Sequence, residues 1–267
     1  MYISSTNSTN TLVREMIAGG RWPEGERFLR TDFQTAGRGQ AGNGWESQSG
    51  RNLLCSVLID ISRLPSDHSP FYLNVAVSVA VHRLAAQAVQ QHSGLTSNSA
   101  AVSIKWPNDI YWNDKKIAGI LIENAIIGSE VKYSIAGIGM NVNQTEWKSD
   151  APNPVSLKQI TRREFDLDGL MQGLLDELDK VLAQKQEEIW NYYKAHLYRR
   201  EGFWSFVERE VSVEPTMNAT AAFSRQHSAV SFMARIKDVL PTGEIVLQDE
   251  HGRERKYHFK QIRYVVK

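Results

Sequence analysis

The chain has 267 residues, which is enough for one large domain and a small one. Hydrophobic residues make up 42 % and charged residues 23 %, and the formal net charge is +1, so no overall field favours nucleic acid or an anionic membrane as a partner. The single cysteine, Cys55, excludes an intrachain disulfide and a cysteine zinc site, and its apolar neighbours predict that it is buried.

The sequence shows neither a signal peptide nor a membrane span. Residues 1–10 are polar and lack the apolar core of a signal peptide. No apolar stretch approaches the roughly 20 residues that cross a bilayer. We therefore expect a cytoplasmic protein without a membrane partner.

The first elements along the chain are a helix and two strands. Apolar spacing predicts a helix over Thr9–Ala18, capped by Thr9 or Asn10 and ended by the glycine pair 19–20. Strands are predicted over 27–33 and 53–61, with a glycine-rich loop over 37–50 between them. A second helix is predicted near Pro70, with Ser69 as its cap.

The second half predicts more strands, a long helix and a small barrel. Three strand candidates lie at 102–106, 116–123 and 132–138, with a hairpin turn at 113–115. A helical pattern runs over 166–197. After Gly202 the pattern changes to short alternating strands, which predict a small β-barrel.

The glycine-rich loop matches the pattern G-x-G-x-x-G at 37–42, and Asp60 lies about where a ribose-binding acid would. A dinucleotide site needs a helix directly after this motif, but residues 43–50 contain two glycines and several turn formers. The loop is better interpreted as a ligand-binding segment in which Arg38 meets an anion and Trp45 forms an apolar cover. A plain surface loop with a solvated arginine is the alternative.

The second polar cluster is Lys105-Trp106-Pro107-Asn108-Asp109, where a strand ends in a turn. Asp109 offers an oxygen to Mg²⁺ or a ribose, and Lys105 offers a charge to a phosphate. Ordinary turn chemistry is the alternative. Glycines at 119, 137 and 139 leave room beside later strands, which indicates a single ligand site.

Taken in order, these segments resemble the biotin protein ligase family over about residues 3–200. The matching stretches are Ser8-Thr9-Asn10, 34–39, Trp45, 105–109, 116–123 and 137–141. The resemblance implies an α/β (α+β) fold: a mixed-sheet, class II synthetase-like catalytic domain over 1–205 and an SH3-like β-barrel over 206–267.

The resemblance also implies a role for each matching side chain. The residues that would bind biotin are Ser8, Thr9, Asn10, Gln34, Arg38, Gly39, Gln40, Lys116, Gly119 and Gly137. The residues that would bind ATP are Arg38, Trp45, Lys105, Asn108, Asp109 and Asn141. The catalytic residues would be Arg38, Lys116 and Asp109, and Asp109 would also hold Mg²⁺.

The implied activity is an ATP-dependent ligation in two steps. Biotin and ATP would give biotinoyl-5′-AMP and pyrophosphate, and a lysine of a biotin carboxyl carrier protein or domain would then displace AMP. The ligands would be biotin, ATP and Mg²⁺. The family resemblance is compatible with a monomer or a homodimer.

Two departures from the family pattern stand out. The loop has Gln40 where the family usually has a second arginine, and Asn43 replaces a commonly basic residue. An amide lacks the charge and fork geometry of a guanidinium, so we expect Arg38, Lys116 and Mg²⁺ to contribute more and the intermediate to be held less tightly. The chain also begins a few residues before Ser8, so we expect no helix-turn-helix domain and no DNA binding.

Three other functions fit parts of the pattern. A lipoate ligase or octanoyl transferase has a similar fold, but Ser8, Thr9, Asn10 and Gln34 favour a ligand with hydrogen-bonding edges. A non-catalytic binding module would not need Lys116 or Asp109. A nucleic-acid role is suggested only by basic residues of the barrel, namely Lys256, Lys260 and Arg263.

Overall fold

A computed structural model describes residues 1–64, 68–69, 71–92, 102–127, 130–148, 153–209 and 231–265. These residues form two compact units, one from Met1–His68 and Tyr72–Tyr198 and the other from Ser69–Phe71 and Arg199–Lys267. The predicted assignment of a catalytic domain to 1–205 and a C-terminal domain to 206–267 stays a prediction.

The first unit is a mixed sheet with helices. Its elements are β1 (Tyr2–Thr6), α1 (Thr9–Ala18), β2 (Phe28–Gln34), β3 (Leu53–Asp60), α2 (Tyr72–His92), β4 (Val102–Lys105), β5 (Asp109–Trp112), β6 (Lys115–Ile127), β7 (Glu130–Met140), α3 (Leu157–Thr161), α4 (Leu167–Leu182) and α5 (Gln186–Ala195). In the described residues the strand order is β1-β2-β3-β7-β6-β5-β4, with β1 parallel to β2 and the other pairs antiparallel. The predicted mixed sheet is confirmed.

The second unit is an antiparallel sheet. Its strands are β8 (Trp204–Glu208), β9 (Ser231–Val239), β10 (Ile245–Asp249), β11 (Glu254–Tyr257) and β12 (Ile262–Tyr264), in the order β11-β10-β9-β8-β12. Phe206, Ala234 and Ile236 are buried between its strands. Gly243 and Gly252 have φ values of 94° and 80°, which favour glycine, and they lie in the turns between β9 and β10 and between β10 and β11. This arrangement agrees with the expected SH3-like class.

Several predicted elements need correction. The long helix over 166–197 is two helices, α4 and α5, separated at residues 183–185. Strands β1 and β5 were not predicted, because both are short and lack a clear apolar alternation. The predicted start of α2 at Pro70 lies outside the described residues.

The predicted cap of α1 is also wrong. Ser8 is the residue before the helix, and its side chain makes no capping hydrogen bond. Thr9 and Asn10 lie inside the helix, with their side chains turned toward β2 and β3. Their polar groups are therefore used in tertiary contacts and do not cap the N-terminus of the helix.

The core of the first unit lies on both faces of the sheet. On one face α1 packs through Val13 against Leu29 and Ile135. Strand alternation puts Ile138 and Met140, which are buried, on the other face, and α2 packs there beside α4 and α5. Cys55 is buried as predicted, and burial raises the pKa of its thiol to about 12. No helix in the described ranges is both long and apolar enough to span a membrane.

A buried histidine joins α2 to the strand β4. His82 Nε2 lies 3.1 Å from the Val102 carbonyl oxygen, so this nitrogen carries the proton, and Nδ1 lies 3.1 Å from the Tyr192 hydroxyl. The pKa of His82 is lowered to about 4, mainly by burial and to a smaller extent by the nearby His196 and Arg83, while the hydrogen bond to Val102 opposes the shift. The folded protein therefore keeps His82 neutral in weak acid.

This histidine should make the free energy of unfolding depend on pH. The unfolded chain takes up a proton near pH 6.5, whereas the folded chain resists protonation until about pH 4, so stability falls as the pH drops through this window. Between about pH 7 and about pH 5 the loss should be about 2 kcal/mol. Urea unfolding of the wild type and of His82→Gln, which does not titrate, measures it. Equal losses in both proteins would contradict the assignment.

Candidate functional site

The centre of the sheet has a furrow formed by glycines on two paired strands. Gly119 of β6 lies opposite Gly139 of β7. Gly137 lies on β7 two residues before Gly139 and therefore on the same face of the sheet. A Cβ atom on Gly137 would lie 2.4 Å from Asn10 Oδ1, and one on Gly139 would lie 2.5 Å from Trp45 Cε2. Only glycine lets these two side chains lie directly on the sheet.

The first half of the furrow holds a buried polar cluster at the start of α1. Gln34 Oε1 accepts hydrogen bonds from the Thr9 backbone N–H at 2.8 Å and from the Thr9 hydroxyl at 3.2 Å. Ser56 Oγ lies 2.7 Å from Thr9 Oγ1 and 2.6 Å from Asn10 Oδ1. Asn10 Nδ2 donates to Glu123 Oε2 at 2.8 Å. We call Thr9, Asn10, Gln34 and Ser56 the polar cluster.

The predicted residues of this cluster lie together. Ser8, Thr9 and Asn10 are all at most 5 % exposed, and Gln34 joins them through Thr9. The sequence interpretation missed Ser56, although it is the only polar side chain in the apolar run 53–59. A polar group inside a buried strand needs a partner, and this signal could have identified it.

The glycine-rich loop forms a short hairpin over the sheet. Arg38 pairs with Gly44 in an antiparallel bridge, and Gly39 N–H donates to the Asn43 carbonyl at 2.7 Å. A single 3₁₀ turn, Gln40–Gly42, forms the tip, and no α-helix follows. The structure therefore confirms that this loop is not a dinucleotide-binding turn.

Two side chains connect the hairpin to the sheet. Arg38 Nη2 lies 3.0 Å from Glu123 Oε2, and this carboxylate also accepts from the polar cluster. Gln40 Nε2 donates to Asn108 Oδ1 at 2.8 Å and to the Ile120 carbonyl at 3.2 Å. Gln40 thus contributes neutral hydrogen bonds at the position where the family usually has a charge.

The second half of the furrow contains an ion pair. Lys116 Nζ lies 2.7 Å from Asp109 Oδ1, and both side chains are about 30 % exposed. The ammonium also lies 5.6 Å from the centre of the Trp45 ring. Both charged groups are therefore partly accessible from solvent.

The surrounding polar groups come from the turn after β4 and from the end of β7. Asn108 Nδ2 donates to Asn74 Oδ1 at 2.9 Å, and Asn141 Nδ2 donates to the Lys116 carbonyl at 3.2 Å. In the described part of the chain, Asn141 Oδ1 and Trp45 Nε1 are buried without a hydrogen-bond partner. Buried polar atoms rarely lack a hydrogen-bond partner, and a bound ligand would provide one.

Lys105 lies at the edge of this half. Its Nζ is 2.9 Å from the Tyr111 hydroxyl and 4.6 Å from the centre of that ring. Burial raises the pKa of the Tyr111 phenol, which keeps it neutral. The structure thus brings the predicted residues into one furrow, with Lys105 held at its border by a neutral partner.

No group of three or more His, Cys, Asp or Glu side chains suited to a metal occurs in the described ranges. Mg²⁺ is commonly held by one or two carboxylates together with substrate phosphates, and Asp109 offers one such carboxylate. The residues fit a metal that arrives with a phosphate ligand.

The sequence model of the biotin/lipoate A/B protein ligase family matches residues 2–141, just over half of the chain. The chain therefore belongs to this family. Together with the furrow, this match confirms the resemblance read from the sequence.

Two curated relatives and one solved structure illustrate the similarity. The "bifunctional ligase/repressor BirA" of Bacillus spizizenii is 34 % identical over 65 % of this chain and 49 % of its own length. The "biotin–[acetyl-CoA-carboxylase] ligase" of Mycobacterium tuberculosis is 29 % identical over 68 % of this chain and 63 % of its own. The chain spans about half the length of the first curated relatives that it matches.

A solved structure of the biotin protein ligase from Aquifex aeolicus, in complex with biotin and ATP, has a TM-score of 0.70 to this chain. It covers 99 % of this chain and 98 % of its own at 19 % identity. At this identity the likeness establishes the fold, and it confirms the predicted fold class.

The furrow predicts the effect of adding one methyl group. Gly137→Ala should lower the free energy of unfolding by about 1–3 kcal/mol, because the new Cβ meets Asn10, whose side chain is fixed by Ser56 and Glu123. Gly44→Ala is the matched control, since its Cβ would meet nothing closer than the Gly37 carbonyl at 3.9 Å. Urea unfolding measures both, and equal stabilities would show that the furrow is not close-packed.

Proposed function

We propose that the protein is a biotin protein ligase, which activates biotin with ATP to biotinoyl-5′-AMP and then transfers biotin to a lysine of a carrier protein. The observation that carries the proposal is one furrow with a buried polar cluster in one half and the Lys116–Asp109 pair in the other. This arrangement suits a ligand with a polar ring at one end and a carboxylate that meets a phosphate at the other.

The polar cluster favours biotin over lipoate or octanoate. The ureido ring of biotin has two N–H donors and a carbonyl acceptor, which match the amide and hydroxyl groups of Asn10, Gln34 and Ser56. An alkyl chain offers neither donors nor acceptors to these groups, so it would gain none of the hydrogen bonds that distinguish a polar ligand. The names of the curated relatives support the same substrate.

The first step brings two anions together. The biotin carboxylate oxygen attacks the α-phosphorus of ATP, a P–O bond forms, and pyrophosphate leaves with the electron pair. Lys116 is the cation placed beside the glycines of the furrow, and we infer that it stabilises the charge on the carboxylate and the α-phosphate. Arg38 reaches the same region when the ligand competes with Glu123 for its guanidinium.

The hairpin gives the intermediate a cover. A mixed anhydride is sensitive to water, and Arg38 and Gln40 hold the hairpin against β6 and the turn before β5. Because Gln40 is neutral, it adds no charge toward the phosphate, and we infer that Lys116 and Arg38 supply it. Trp45 and Asn141 bring unpaired buried groups to the nucleotide.

In the second step the neutral ε-amine of a carrier lysine attacks the acyl carbon, a C–N bond forms, and AMP departs with the electrons of the C–O bond. Asp109 pairs with Lys116 in the second half of the furrow, and we infer that it orients the amine and accepts its proton. Mg²⁺, when it is bound with ATP, neutralises phosphate charge, and Asp109 would hold it.

The proposed partner is a biotin carboxyl carrier protein or domain of a biotin-dependent carboxylase, as the names of the relatives indicate for those proteins. A cytoplasmic location, a monomeric or homodimeric state and the lack of a nucleic-acid partner stay predictions.

ATP–pyrophosphate exchange tests the activity, with biotin, lipoate and octanoate offered separately. We expect exchange with biotin alone, because only biotin pairs with the polar cluster. Exchange with lipoate or octanoate would move the protein to the other branch of the family. A lack of exchange with all three acids would indicate a non-catalytic binding module.

Two neighbouring lysines provide the matched pair of variants for this assay. Lys116→Gln should lower the exchange rate by on the order of a hundredfold, the scale for removal of one preorganised donor. Lys115→Gln removes an equal charge from an exposed neighbour and should leave the rate within about twofold. Equal rates in the two variants would remove Lys116 from the mechanism.

A further inference from the structure

A tyrosine on α5 contacts the turn that carries the nucleotide residues. Tyr193 is fully buried, and its hydroxyl donates to the Pro107 carbonyl at 2.7 Å. Pro107 lies between β4 and β5, directly before Asn108 and Asp109. The hydrogen bond therefore joins a helix of the core to the backbone of the turn.

This turn depends on contacts from outside itself. Proline has no backbone N–H, so the turn has one donor fewer with which to bind itself. The Pro107 carbonyl is buried with its residue, and a buried carbonyl without a partner costs free energy. Tyr193 supplies that partner at the position where the chain changes direction.

The segment after α5 fixes the strand that leads into the turn. Ile104 N–H donates to the His196 carbonyl at 2.8 Å, and Tyr198 N–H donates to the Ile104 carbonyl at 2.8 Å. His82 contacts the same strand at Val102. Strand β4 is thus fixed by backbone hydrogen bonds and by His82, whereas the turn after it accepts a hydrogen bond from the Tyr193 hydroxyl.

The position of this turn affects two contacts of the proposed nucleotide site. Asn108 accepts from Gln40 at 2.8 Å, and Asp109 pairs with Lys116 at 2.7 Å. A shift of the turn by a few tenths of an ångström would lengthen both contacts at once. The polar cluster is held separately, by α1, β2 and β3.

We propose that Tyr193 is a positioning residue for the nucleotide: its hydrogen bond to Pro107 sets the place of Asn108 and Asp109 and so affects the affinity for ATP more strongly than that for biotin. This rests on the proposed function, since it takes the turn to be part of an ATP site. Tyr193 lies behind the turn, acts through its backbone and does not touch the substrate.

The test is Tyr193→Phe, which removes one oxygen and keeps the ring. The matched control is Tyr72→Phe, because Tyr72 is equally buried and its hydroxyl has no hydrogen-bond partner in the described residues. Calorimetric titration of ATP and of biotin is done on the wild type and both variants. Exchange kinetics give the KM for each substrate, and thermal unfolding is recorded alongside.

Tyr193→Phe should weaken ATP binding and raise its KM about fivefold or more, the scale of one hydrogen bond, with the values for biotin within about twofold. Tyr72→Phe should leave both ligands unchanged. Unchanged ATP affinity in Tyr193→Phe, a parallel loss for biotin, or an equal effect of Tyr72→Phe would overturn the proposal.

The two proposals fail in different ways. Absence of biotin-dependent exchange in the wild type overturns the ligase activity, and the ATP titration still decides the role of Tyr193. A wild-type chain that neither exchanges nor binds ATP overturns both.

Discussion

The close approach of two side chains to the bare backbone of β6 and β7 is the constraint on which the rest of the site depends. Asn10 and Trp45 lie where Cβ atoms would otherwise stand, at 2.4 Å and 2.5 Å from the ideal positions on Gly137 and Gly139. Because these glycines have no side chains, α1 and the glycine-rich hairpin can both pack closely against the sheet. One furrow therefore receives polar groups from a helix and from a loop that are far apart in the sequence.

The carboxylate of Glu123 connects the polar cluster to the glycine-rich hairpin. Glu123 accepts from Asn10 on one side and from Arg38 on the other, so the polar cluster and the hairpin share one carboxylate. The hairpin reaches the second half through Gln40 and Asn108. The hairpin therefore has contacts in both halves of the furrow, through Glu123 in one and Asn108 in the other.

The sequence predicted the elements with strong periodicity and the residues in recognisable motifs. The predicted and observed bounds of α1 agree, and the motifs that contain Lys116 and Asp109 indicate two residues that form an ion pair in the structure. The sequence could not predict that Thr9 and Asn10 use their side chains for tertiary contacts instead of capping, since both uses need the same residue types. The position of Ser56 in an apolar run indicates a buried polar residue, but the run does not identify its partner Asn10. Tyr193 has no local signal, because its hydroxyl acts on Pro107, which is distant in the chain.

The most direct test of the central claim is the transfer step itself. A purified biotin carboxyl carrier domain is incubated with the protein, biotin, ATP and Mg²⁺, and its intact mass and the modified residue are determined by mass spectrometry. The account predicts one biotin on the single acceptor lysine, dependent on ATP and absent when that lysine is replaced by arginine. An unmodified carrier domain, under conditions in which biotin-dependent pyrophosphate exchange proceeds, would contradict it.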